Sequence, residues 1–144
     1  MSKRAELANQ YHVRGYSCAQ AVACAFSDVI GLSEEQIASL LSCFGGGFRC
    51  GEICGVLSGA VTVLGAKWPH AVAEDQAAKE FAAEKAREFH RRWMEKFPDV
   101  RCETLKELPC MAEKSPTAVE LGLEKNCAVY ITCAVEIVEE MLGE

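Results

Sequence analysis

No two of the nine cysteines in this chain are spaced Cys-x-x-Cys. That absence counts against a thioredoxin-type dithiol, a rubredoxin-like site, a zinc ribbon and the common ferredoxin runs. His12, His70 and His90 stand at no metal-binding spacing, and no stretch resembles a phosphate loop, a hydrolase triad or a paired-carboxylate site. Positive charge is scarce as well. The 15 Lys and Arg against 21 Asp and Glu leave a net charge of −6, which argues against nucleic acid and anionic membrane surfaces as partners. The one basic cluster, Arg87, Arg91 and Arg92, is offset by Glu84, Glu88 and Glu95 and reads as a solvated helix face. The longest nearly uncharged apolar segment, Ile53 to Ala66, has 14 residues, whereas a membrane-spanning helix needs roughly 20. No apolar run follows the basic residues of MSKRAELANQYHVRG, so the expectation is no secretory signal and a cytoplasmic protein. Strand signals are nearly missing, and there is no low-complexity linker.

What remains is helical. At 144 residues the chain suits one domain over 1–144, long enough to bury a core without disulfides. The spacing predicts a first helix from Lys3 to Arg14, closed by Gly15. A second opens on the capping box Ser17 and Gln20 and runs to about Ile30; a third opens on Ser33 and Gln36 and runs through Leu41. A fourth, about Glu52 to Gly65, is apolar nearly all round and therefore expected at the centre. The longest, about Val72 to Phe97, carries a stripe of Ala77, Phe81, Phe89, Trp93 and Phe97. A short helix near Cys102 and an irregular segment from Cys110 to Leu123 precede a last helix. This one starts behind Asn126 as N-cap and runs to about Leu142, with Ala128, Ile131, Val135 and Val138 facing the core. The expected fold is all-α: a single-domain bundle of six or seven helices around a central glycine-containing apolar helix.

The informative feature of the cysteines is position. Cys18, Cys54, Cys102 and Cys127 all fall at predicted helix N-termini. There, unpaired N–H groups and a partial positive charge favour thiolate over thiol, and thiolate is both the nucleophile and the metal ligand. Gly45, Gly46 and Gly47 can form a concave nest of N–H groups in front of the fourth helix. Gly51, Gly55 and Gly59, spaced by four, leave one helix face bare for close packing near Cys54. Cys50 shares the four-residue spacing with Cys54 and is expected to meet it across one turn. Cys24, Cys43 and Cys133 sit in apolar helical stretches and read as buried packing residues.

These residues carry a resemblance. With Cys18 in GYSCAQAV, Cys54, Gly55 and Gly59 in ICGVLSGAVTVLG, and Cys102 and Cys127 behind them, the chain resembles the C_GCAxxG_C_C family of redox-active proteins of bacteria and archaea. The resemblance covers nearly the whole chain. Val56 stands where the motif has alanine, and five cysteines exceed the four of the pattern. The resemblance implies a redox role for the four cysteines.

Three functional readings follow. In the first, Cys18, Cys54, Cys102 and Cys127 bind an iron–sulfur cluster for electron transfer, with the glycines lining it. In the second they exchange between dithiol and disulfide, Cys54 being the better-activated nucleophile and Cys18, Cys50 or Cys102 resolving it. In the third, the same four thiolates hold zinc or another soft metal in a structural or sensory site. A helical interaction module with incidentally buried cysteines is the non-redox alternative. The partner expected for the redox readings is another redox protein, and a homodimer is open.

Overall fold

Both capping boxes close in the computed structural model, which describes residues 1–144. The Ser17 hydroxyl accepts from the Gln20 N–H, the Gln20 side chain accepts from the Ser17 N–H at 2.9 Å, and Ser33 and Gln36 repeat the arrangement. They open α2 (Cys18–Cys24) and α4 (Glu34–Leu40), behind α1 (Lys3–Val13). The second helix is shorter than its pattern predicts. Phe26 leaves helical geometry at φ −115° and ψ 30°, and a separate turn, α3 (Ser27–Ile30), ends at Gly31. The break coincides with complete burial of the Phe26 ring. Next come α5 (Gly55–Lys67), α6 (Gln76–Met94), α7 (Cys102–Leu105), α8 (Pro116–Glu120) and α9 (Asn126–Leu142). The fold is therefore all-α, with more and shorter segments than the expected six or seven helices. In the irregular stretch, Pro116 opens α8 at a position where its missing N–H costs nothing, and the Ser115 hydroxyl caps the Ala118 N–H at 3.1 Å.

The most enclosed helix is α9. Val129 to Val135 is an unbroken buried run, because this helix is apolar almost all round and packs against α1, α2, α5, α6 and α8. The glycine-containing α5 is the second member of the centre, and α2 and α9 both pack against it. The long helix departs from expectation at its start: Ala77 and Phe81 are exposed, while Phe89, Trp93 and Phe97 are buried. Its amino-terminal half has no fully buried residue and rests on Trp68, with Phe81 edge-on to the Trp68 ring and the Lys85 ammonium 4.4 Å from its centroid. Trp93, Phe97 and Tyr130 form an aromatic cluster between α6 and α9, with centroids 4.5 to 6.0 Å apart. No helix is long and apolar enough to cross a membrane.

Asn126 does not cap α9. Lys125 holds that place, and the Asn126 amide instead donates to the Leu108 carbonyl at 2.6 Å and reaches those of Leu105 and Lys106. It thus satisfies carbonyls left open where α7 ends. Tyr130 adds a hydroxyl donated to Leu105 O at 2.6 Å, so α7 is held on α9 from two sides.

Candidate functional site

The four cysteines occupy the helix starts that the sequence predicts. Cys18 is the first residue of α2, Cys54 is the N-cap of α5, Cys102 is the first residue of α7, and Cys127 is the second of α9. Backbone pairing joins two of these starts. The Cys54 N–H donates to Val100 O at 2.8 Å and the Cys102 N–H to Glu52 O at 2.6 Å, with Ile53 opposite Arg101 in an antiparallel bridge. Asp99 sets up the second strand of this bridge. Its carboxylate accepts from the N–H groups of Val100 and Arg101 at 2.7 and 3.1 Å, and its carbonyl takes the Trp93 indole N–H at 2.9 Å. Cys102 is thereby tied to the aromatic core as well as to Cys54.

Close approach of backbones completes the convergence. A Cβ on Gly55 would lie 2.5 Å from the Cys18 sulfur, so only glycine lets Cys18 settle on the start of α5. Gly59 does the same one turn on, where a Cβ would meet Ala19 O at 2.6 Å, and Gly45 gives way to Ser17. Gly46, Gly47, Phe48 and Arg49 form a left-handed turn with φ between 58° and 64°. Gly47 in it packs against Glu52 and Cys102, whose Cβ would be 2.7 Å from one on Gly47, and Gly51 faces Glu103. The expected anion nest is thus mainly a seam of close contacts, with Gly46 N–H turned to the Cys18 sulfur. Phe48 and Arg49 adopt the left-handed conformation without being glycine, a strain of roughly 1–2 kcal/mol per residue.

The electrostatics divide the four thiols. Cys18 is drawn down to about 6 by a hydrogen bond from Cys54 and, against the effect of burial, by the N–H groups of Gly46, Ala19 and its own residue. Cys54, buried, is held well above the usual thiol range by that same bond to the Cys18 thiolate and by burial. Burial also raises Cys102 and Cys127, and the charge of Cys18 adds to both; Cys102 raises Cys127 further. The four sulfurs therefore share one electrostatic neighbourhood. Cys54 was expected to be the better-activated nucleophile. In this pair the shifts favour Cys18 as the thiolate, since the hydrogen bond to Cys18 and burial both raise Cys54.

Cys50 does not sit across a helical turn from Cys54. Gly51 at φ 77° and the extended Glu52 separate them, and the exposed Cys50 thiol donates to Phe48 O at 3.1 Å. Cys24 and Cys133 are buried, and burial pushes them to about 11 and about 12. Cys43 is exposed rather than packed, since α4 has ended at Leu40 and Cys43 lies in the following turn. Four thiolates suit a soft metal or cluster by donor type. In this arrangement, however, no three Cys, His, Asp or Glu side chains stand where they would hold one ion. Sequence reading gave Asn126 the role of a cap and did not single out Asp99 or Tyr130 as groups that position α7 and with it Cys102; only the Asp99 turn residue carried a local signal.

Residues 16–141 match the family described as "Putative redox-active protein (C_GCAxxG_C_C)". No curated protein and no solved structure matches the chain. The family match spans all four helix-start cysteines and the Cys54–Gly55 segment on which Cys18 rests, and the chain belongs to the C_GCAxxG_C_C family.

Proposed function

We propose that the protein is a thiol–disulfide redox carrier whose working pair is Cys18 and Cys54. The observation that carries this reading is their apposition: a half-buried Cys18 whose sulfur lies against the backbone of Gly55, the residue next to the buried Cys54. The Cys18 thiolate attacks one sulfur of an oxidising disulfide, forming a new S–S bond. The other sulfur leaves with the electron pair of the broken bond and takes up a proton. Cys54 then loses its proton and attacks Cys18, closing the Cys18–Cys54 disulfide and expelling the second sulfur as a thiolate. Two electrons pass from the dithiol to the oxidant. A spatial pair thus does what the missing Cys-x-x-Cys would do.

The shared electrostatic neighbourhood of Cys102 and Cys127 favours a second reading, in which all four thiolates draw together around a soft metal or an iron–sulfur cluster. One experiment separates the two. Anaerobically purified protein is assayed for iron, zinc and sulfide, then equilibrated across a dithiothreitol redox buffer, alkylated and peptide-mapped. A metal-free protein with a reversible Cys18–Cys54 link is the expected result. Stoichiometric metal lost on replacing any of the four cysteines, with no such link, would overturn the carrier reading.

A further inference from the structure

A cleft of about 1050 Å³ opens between α1, the turn after α7 and the start of α9, at the large end of the range for small-molecule sites. Cys127, the most exposed of the four family cysteines, lies in its wall. The chain as a whole is acidic, yet this wall carries Lys106 and Lys125 against a single carboxylate, Glu124. Neither lysine is in an ion pair. Three backbone N–H groups, those of Asn126, Cys127 and Ala128, begin α9 with no side-chain cap, since the Asn126 amide is engaged on α7. His12, also in the lining, is held below its ordinary range by burial and, next, by the charge of Lys125.

The geometry points to this cleft as the entry site for a small disulfide bearing carboxylates, captured at Cys127. The inference rests on the carrier reading and gives it a substrate class. The Cys127 thiol, raised above its ordinary range, gives its proton to solvent and as thiolate attacks one sulfur of R–S–S–R to form Cys127–S–S–R; R–S⁻ departs with the electron pair of the broken bond and is protonated by solvent. The lysines and N–H groups hold the carboxylates while this happens. The mixed disulfide on Cys127 is then the oxidant that Cys18 attacks.

Three small disulfides of nearly equal size serve as probes: dithiodipropionate, bis(hydroxyethyl) disulfide and cystamine, which are anionic, neutral and cationic. Their rates of adduct formation at Cys127 are measured by mass spectrometry in the Cys18→Ser/Cys54→Ser variant, where no carrier disulfide can form. The expected order is anionic, neutral, cationic, with roughly a tenfold step between the first two. That step should shrink to less than about twofold in added Lys106→Gln/Lys125→Gln substitutions or at high salt. In the unaltered protein, suberate, which carries the same carboxylates without sulfur, should raise the titration midpoint of His12 read by NMR, so the test does not depend on the serine variant folding. Equal rates for the three probes, or a preference untouched by the lysine substitutions, would overturn the inference, as would a His12 midpoint indifferent to suberate. Charge-selective capture at Cys127 with no Cys18–Cys54 link in the unaltered protein would instead sink the carrier reading alone.

Discussion

The opposite shifts of Cys18 and Cys54 give the site its pH signature. Thiolate absorbance should rise with a midpoint near 6, assigned to Cys18, and the Cys54 thiol should ionise only above the ordinary range near 9. Cys54→Ala removes the principal donor, so the lower midpoint should move up toward 9. An unchanged midpoint would show that the backbone N–H groups alone hold the thiolate. Stability follows with opposite signs: the depressed Cys18 value favours the fold above about pH 9 and that contribution fades as pH falls toward 6, whereas the raised Cys54 value favours the fold below about pH 9 and fades above it. The glycines offer a sharper test. Gly55→Ala places a methyl 2.5 Å from the Cys18 sulfur and should cost about 1–3 kcal/mol in chemical denaturation. Gly65→Ala, with nothing within 4 Å in the same helix, should gain up to about 1 kcal/mol. Equal effects at the two positions would mean that the close contact is not what glycine is there for. The four-residue spacing singles out Gly55 for close packing in sequence, but only the tertiary contact shows that its partner is the Cys18 sulfur.

At the scale of elements, the left-handed turn before α5 is the least ordinary piece of the chain. Phe48→Gly should leave stability unchanged or raise it by up to about 1 kcal/mol by relieving strain, while Gly47→Ala should lower it, because its Cβ would meet Glu52 O at 2.5 Å. Urea denaturation of the two variants checks the contrast. Helix existence and the two capping boxes were legible because they depend on residues three apart in sequence. The break at Phe26 was not, because it coincides with the complete burial of the ring, which no local pattern contains. Asn126 misled for a related reason. A cap-type residue beside a helix start reads as an N-cap, yet its amide is taken by the carbonyls at the end of α7, a long-range partner no local pattern contains.

For the whole molecule, oxidation of the proposed pair would close a loop from Cys18 to Cys54 across the α2–α5 contact. The disulfide form should be more stable than the dithiol by roughly 3–4 kcal/mol if the link forms without strain. Thermal unfolding of the two forms tests this, and a less stable oxidised form would indicate that the sulfurs meet only by distorting the bundle. The core should absorb neither change nor truncation easily. Trp93→Ala, in the cluster with Phe97 and Tyr130, should cost about 3–5 kcal/mol and loosen Asp99 together with Cys102, which accelerated alkylation of Cys102 would reveal.

The sequence by itself determined that the chain is helical, where most helices begin, and that four cysteines stand at those beginnings, since each of these is written within a few neighbouring residues. It also carried the family, through the cysteines and the glycines beside Cys54. Which cysteine is favoured as the thiolate depends on tertiary structure, because a thiol's charge depends on what it is buried against and what donates to it: here Cys54 and the Gly46 N–H beside Cys18. The same holds for the exposure of Cys127 in a cleft with two lysines, assembled from segments more than a hundred residues apart in the chain.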